Sequence, residues 1–319
     1  MAVFLCPQFS RKVKLGRRIC RKYNKNIVVG VSVEYEHSQS IFKKEGGKLN
    51  AVLKYPGSKW STSEWIISFF PENYEKLTYG EPYFGSGAVF FNKKRSVIET
   101  INDIDGNVVN LFKVIREYPD KLADLIKNTP WARQEYKDSY EQTGESIEDA
   151  RRFLVRMWMA IGAKSSDITG FRNIIKGVNG NIPHWHNRLP GRIIETAERL
   201  KHTDTCVVQI ENQPATKLIE RYNRENVLLY IDPPYLLSTR SKRIYKHEMA
   251  EKDHLELLNL LKNHKGKIIL SGYDNEIYNN ILSKWHKESI NCLKEAGLQA
   301  TETLWMNYQP NIRQLNLFE

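Results

Sequence analysis

The stretch Asn226-Val227-Leu228-Leu229-Tyr230-Ile231-Asp232-Pro233-Pro234-Tyr235 constrains this chain more than any other. Val227 to Ile231 is an apolar run without the alternation of a half-exposed strand. It reads as a strand buried on both faces, the kind found in a parallel sheet. Asp232 stands at its carboxyl end, and Pro233 and Pro234 stop the ladder because neither can donate a hydrogen bond. A bare turn would need only one such breaker. In open α/β sheets ligands bind outside the carboxyl ends of strands, so chemistry is expected at Asp232.

The surrounding pattern supports an α/β architecture. Strand-like and helical segments alternate from about residue 51 to 130 and again from about 201 to 308, as in "CVVQI", "PATKLIERY", "DHLELLNLLKN" and "KIILSGY". Between them, residues 131–200 are helical and rich in Arg and Lys, with a long polar loop running to "NIPHWHNRLPG". "STSEWIISFFP" predicts a helix capped by Ser61 or Thr62.

Charge is distributed unevenly. The net charge is +11, and residues 1–48 carry 11 Lys/Arg against 3 Glu, which leaves only +3 for the rest. This basic extension, taken as residues 1–50, reads either as a nucleic-acid-binding arm or as a poorly ordered tail outside the catalytic fold. No apolar run approaches the roughly eighteen residues of a membrane span. Cys6, Cys20, Cys206 and Cys292 lie far apart, which disfavours disulfide frameworks and zinc sites and makes a reducing cytoplasm the expected compartment. His184 and His186 flank Trp185 without acidic or cysteine partners at metal spacing, so no metal is expected.

Two further segments point to a ligand. In "EPYFGSGAVFF", Gly85 and Gly87 allow a tight turn and close backbone approach before a helix starting near Ala88. Taken alone, such a pair is most often a turn. In "INDIDGN", Asp103 ends another expected strand, where it either accepts hydrogen bonds from ribose hydroxyls or serves as a solvated loop acid or helix cap. The Asp-Pro-Pro-Tyr pattern is more specific, since chance supplies its like in about one chain of this length in a hundred. Its chemistry is coherent. A nucleobase amine is a poor nucleophile because its lone pair is delocalised into the ring. A carboxylate and a proline-fixed carbonyl can accept its two N–H bonds and push the nitrogen towards tetrahedral geometry, while Tyr235 offers a face for an extruded base.

With these motifs in order, the chain resembles the Dam-like, adenine-specific DNA methyltransferases that use S-adenosylmethionine, over roughly residues 51–308. "KYPGSK" resembles the family's N-terminal motif, "EPYFGSGAVF" its methionine-binding loop, "NDID" its ribose-contacting acid and "DPPY" its catalytic signature. "TRSKRIYKHEM", "LSGY" and "TETLWMNY" are similar to phage and mobile-element branches. The resemblance implies a Rossmann-like S-adenosylmethionine-dependent methyltransferase fold with a mostly helical inserted target-recognition region at 131–200. It implies cofactor contacts from Tyr55, Lys59, Gly85, Gly87, Asp103 and Asp232, and a target adenine held by Asp232, Pro233, Pro234 and Tyr235. Ser58 stands where many members show a second glycine, so a locally different backbone is expected.

Double-stranded DNA is the implied partner, with a monomer as the working form. The insertion reads either as the region that recognises DNA, with Arg172 and Arg188 as contacts, or as a helical cap over the cofactor. In the tail from residue 309, Gln314, Leu315, Leu317 and Phe318 resemble the short motif with which bacterial replication proteins dock on the sliding clamp. Two other classes compete: a methyltransferase acting on cytosine amines or RNA, and a catalytically idle DNA-binding protein of the same fold. Asp at position 232 and the motif order favour adenine, and the intact acids argue against an idle site.

Overall fold

The computed structural model describes residues 49–162, 164–173, 181–239, 243–293 and 299–311. The basic segment through residue 48 and the tail from residue 312, with Gln314, Leu315, Leu317 and Phe318, lie outside these. Strands β1 (Thr78–Glu81), β2 (Ile98–Asn102), β3 (Val207–Glu211), β4 (Val227–Ile231) and β5 (Lys267–Tyr273) run parallel. β6 (His286–Leu293) and β7 (Gln299–Met306) add an antiparallel hairpin, with β7 paired to β5. The order across the sheet is β3-β2-β1-β4-β5-β7-β6. Chain direction around the sheet reverses between β1 and β4, and that switch opens a crevice at their carboxyl ends.

Every residue of β4 is buried. Leu228 and Tyr230 join the hydrophobic cluster on one face, while Val227, Leu229 and Ile231 join the cluster on the other. The lack of alternation in the sequence is therefore the signature of a strand covered on both sides.

The helices are α1 (Ser63–Ser68), α2 (Ala88–Asn92), α3 (Gly106–Glu117), α4 (Pro119–Asn128), α5 (Arg133–Asp138), α6 (Ser146–Met159), α7 (Asn181–Asn187), α8 (Leu189–Leu200), α9 (Ala215–Arg221), α10 (Glu251–Lys262) and α11 (Glu276–Ile281). Helices α3, α4, α6 and α8 pack on one another and on one face of the sheet. α9, α10 and α11 cover the other face through Leu218, Leu257, Leu261 and Tyr278. Thr62 occupies the N-cap position of α1, but its hydroxyl donates back to the Lys59 carbonyl at 3.4 Å and caps no helix N–H.

Residues 131–200 contribute to this core. Trp158 on α6 and Trp185 on α7 are fully buried; their indole N–H groups donate to the Val52 carbonyl at 2.8 Å and the Thr129 carbonyl at 3.1 Å. The polar stretch read as loop thus contains a helix, because Trp185 needs a covered face and Pro183 falls in the first turn, where a missing N–H costs nothing. Between α6 and α7 the chain turns back on itself. Ala160 bridges Phe171, Ile161 N donates to the Gly170 carbonyl at 2.8 Å, and Arg172 N donates to the Met159 carbonyl at 2.6 Å.

Candidate active site

The carboxyl ends of β1, β2 and β4 bring together segments that are far apart in sequence. Glu81 is the last residue of β1, Asp103 follows β2, and Asp232 follows β4. With Tyr55, Lys59, Gly85 and Pro234 they line one cavity of about 320 Å³. That is a size suited to a small organic ligand, for which roughly 300–1,000 Å³ is usual. Pro233, Tyr235 and Gly87 are not among the residues that line it.

The loops beneath the cavity are stitched together by side chains. The Ser58 and Ser86 hydroxyls lie 2.8 Å apart, and the Trp60 indole N–H donates to Ser86 Oγ at 3.1 Å. Serine at position 58 thus ties the "KYPGSK" loop to the glycine loop. Gly85 has φ +50°, and a Cβ there would lie 3.0 Å from the Tyr55 ring, so the glycine lets Tyr55 lie against the backbone. Gly87, with φ +68°, is the N-cap of α2; a Cβ there would fall 2.3 Å from Phe84. Its bare backbone leaves room for the Phe84 and Phe91 rings.

Asp103 is not a solvated acid. It is buried, its Oδ2 accepts the Gly85 N–H at 2.8 Å and its Oδ1 accepts the Asp105 N–H at 2.9 Å. The cap of α3 falls instead to Asp105, whose Oδ1 accepts the Asn107 N–H at 3.0 Å. Burial lifts Asp103 to about 6 despite those amide donors. Burial likewise lifts Glu81 to about 8, although it accepts a bond from the Tyr79 hydroxyl. Both acids thus stand above the ordinary carboxylate range, and a cationic ligand in the cavity would favour their charged forms.

Asp232 is the centre of the site. Lys59 Nζ lies 2.9 Å from its Oδ2, 2.8 Å from the Gly57 carbonyl and 3.8 Å from Glu302 on β7. The Lys59 side chain is only 8% exposed. Burial works against its charge, but Asp232 and Glu302 outweigh that and hold its pKa above the ordinary lysine value. Burial raises Asp232 above the ordinary carboxylate range, with Lys59 and a hydrogen bond with the Tyr235 side chain opposing. The other carboxylate oxygen, Oδ1, is buried with no hydrogen-bond partner. Tyr235 packs edge-on against Tyr273 with ring centroids 4.6 Å apart, lies under the Lys59 ammonium at 4.8 Å, and donates its hydroxyl to Glu302.

Glu302 had no assigned role in the sequence reading. Its only signal is an acid inside the otherwise strand-like "TETLWM", a position that becomes notable once β7 is known to run through the sheet. Of the two arginines expected at DNA, Arg172 donates its Nε to the Ala160 carbonyl at 3.1 Å within the turned-back segment, and Arg188 is exposed at the start of α8. Neither lines the cavity. Among the described residues no group of three or more His, Cys, Asp or Glu is placed to hold a metal ion.

A sheet of this order with an acid-lined cavity at its switch point has the Rossmann-like fold of S-adenosylmethionine-dependent methyltransferases. The family model for D12 class N6 adenine-specific DNA methyltransferases matches residues 55–296, and the chain belongs to that family. It is a site-specific, adenine-specific DNA methyltransferase. A Type II methyltransferase of Lactococcus lactis subsp. cremoris, M1.LlaDCHI, is 22% identical over 292 residues, which are 84% of this chain and 99% of the relative. Among solved structures, a precorrin 8W decarboxylase of Methanobacterium thermoautotrophicum aligns with 81% of this chain and 94% of its own at TM-score 0.36 and 9% identity. A proposed RNA methyltransferase of Pyrococcus horikoshii aligns with 84% of this chain and 93% of its own, also at TM-score 0.36 and 9% identity.

Proposed function

We propose that the cavity at the β1/β4 switch point binds S-adenosylmethionine and that Asp232, with the Pro233 carbonyl, activates the amine of a flipped adenine. One observation carries this reading: Asp232 Oδ1 is buried without a partner beside a cavity of ligand size. A buried carboxylate oxygen left unpaired costs free energy, so a site that keeps one is prepared for a donor that arrives with the substrate.

The residues present fit the methyl donor. Asp103 is placed after β2, where Rossmann-like folds bind ribose hydroxyls. Glu81 and Asp232 offer negative charge to its cationic groups, and Gly85 and Tyr55 shape the wall. Bound there, S-adenosylmethionine supplies an electrophilic methyl on a good leaving group. Asp232 Oδ1 and the Pro233 carbonyl accept the two amine N–H bonds, which draws the nitrogen lone pair out of conjugation. Lys59 opposes the effect of burial on Asp232 and orients its carboxylate before the base arrives. Tyr235 supports the pocket from behind the Pro-Pro turn.

Arg188 and the turned-back segment carrying Arg172 are proposed as contacts to double-stranded DNA. The peptide Gln314-Leu315-Asn316-Leu317-Phe318 is proposed to dock on a sliding clamp. The decisive experiment incubates unmethylated genomic DNA with the protein and donor and maps modified adenines by single-molecule sequencing. Asp232→Ala is expected to abolish modification while keeping DNA binding; modification that persists would sink the assignment of Asp232.

A further inference from the structure

The pair formed by Lys59 and Asp232 is not isolated. Glu302 reaches it from β7, where it pairs in register with Tyr273 of β5 and Ile290 of β6. The Glu302 side chain is 6% exposed. Its neighbours Thr303, Leu304 and Trp305 are buried as well. An aliphatic residue would pack at this position at less cost, because a buried charge is expensive unless paired. Yet Glu302 is only partly paired: it receives the Tyr235 hydroxyl and stands 3.8 Å from a lysine whose shorter contact, 2.9 Å, is to Asp232.

We propose that Glu302 is a positioning residue for methyl transfer, acting by holding the Tyr235 hydroxyl and by competing with Asp232 for Lys59. The proposal rests on the reading of Asp232 given above. If Lys59 served Asp232 alone, the ammonium would draw the carboxylate's charge away from the adenine amine and weaken it as an acceptor. A second carboxylate on the far side of the ammonium offsets that pull. The cluster of two carboxylates and one ammonium then carries a net negative charge where positive charge builds on the attacking nitrogen. Such fixed charge acts without reorganisation during the reaction. Tyr235, anchored through its hydroxyl, fixes the turn that presents the Pro233 carbonyl.

Other titratable groups facing the cluster are Glu81 from β1, Tyr230 from β4, Tyr278 from α11 and Tyr245 from the segment after the Pro-Pro turn. All are acids. Removing the Glu302 charge therefore makes Asp232 easier to ionise, and the acid limb of the rate profile moves to lower pH.

The test compares wild type, Glu302→Gln, Tyr235→Phe and the double variant in single-turnover methylation of unmethylated genomic DNA with tritiated donor. It adds donor affinity by calorimetry and thermal unfolding of each protein. Glu302→Gln preserves an acceptor for Tyr235 and removes only charge, and it is expected to slow transfer about tenfold with donor affinity within about twofold. Its acid limb is expected at lower pH than that of wild type, a change that loss of packing would not produce. Tyr235→Phe is expected to slow transfer several-fold, and the double variant to be faster than the product of the two effects predicts. A wild-type rate and pH profile in folded Glu302→Gln overturns the proposal, as does full multiplicativity. Should Glu302→Gln fail to fold, a wild-type rate in Tyr235→Phe overturns it. An inactive Asp232→Ala alongside a normal Glu302→Gln removes this proposal alone, whereas turnover in Asp232→Ala removes the reading beneath it.

Discussion

Two buried charge clusters sit at opposite ends of the same sheet, and their stoichiometries differ. Near the amino end of β2, Glu99 receives Arg199 through two bonds of 2.6 and 2.9 Å, the Ser96 N–H at 3.0 Å, and Lys93. One carboxylate there serves two cations. At the carboxyl end of β4, Asp232 and Glu302 share Lys59, and one Asp232 oxygen has no partner. Although burial works against its charge, Arg199 and Lys93 bring Glu99 down to about 2, whereas burial leaves Asp232 and Glu302 above the ordinary carboxylate range. A carboxylate with both oxygens paired fastens α8 to the sheet, although Arg199 Nε beside it is buried without a partner among the described residues. A carboxylate with an unpaired oxygen holds acceptor capacity for a substrate.

The sharpest way to break this contrast is to remove the carboxylates in turn. Asp232→Ala should eliminate methyl transfer, read by tritium incorporation into DNA, while its unfolding midpoint stays near that of wild type. Glu99→Ala should do the reverse in kind. It leaves Lys93 and Arg199 as unpaired buried cations, and a loss of about 3–5 kcal/mol is expected in denaturant unfolding. A Glu99→Ala protein of full stability would show that the two clusters do not differ as argued.

Stability against pH sharpens the comparison. Glu99 titrates at about 2 in the fold against an ordinary 4.5, so its stabilisation is complete above about pH 5 and is lost as pH falls towards 2. Glu81 at about 8 has the opposite sign: its contribution is present below the ordinary 4.5 and is lost as pH rises through 8. Thermal melts without ligand should therefore show an acid limb flattened by Glu99→Gln and an alkaline limb flattened by Glu81→Gln. The smallest effect concerns neither cluster. A chain lacking residues 314–319 should keep its methylation rate on short DNA and lose capture by an immobilised sliding clamp; equal capture of both chains would remove that assignment.

Much of the site was legible in the sequence because its pieces are local. Asp232, the two prolines and Tyr235 are consecutive, and a strand run followed by breakers marks a sheet edge without further information. Gly85 and Asp103 each follow a strand in the same way. Glu302 was not legible, because a buried acid in a strand looks like an exposed one until its neighbours are known. The same holds for Glu99 and Arg199, which lie a hundred positions apart. Trp185 also misled in context: amid Asn, His and Gly its segment reads as loop, and only burial against Thr129 and α8 makes it a helix.

Sequence by itself determined the class of sheet and marked the edge at which the cavity opens, with Asp232 and Pro233 as the residues proposed to meet the amine. These follow from apolar periodicity and from the backbone limits of proline and glycine, which act over a few residues. Tertiary structure decided the charge balance: one carboxylate given two cations at the amino end of β2, two carboxylates given one at the carboxyl end of β4. That balance depends on β7 entering beside β5 and on α8 lying against β2. A buried charge takes its energy from neighbours within a few ångströms, and those neighbours are set by packing and not by order along the chain.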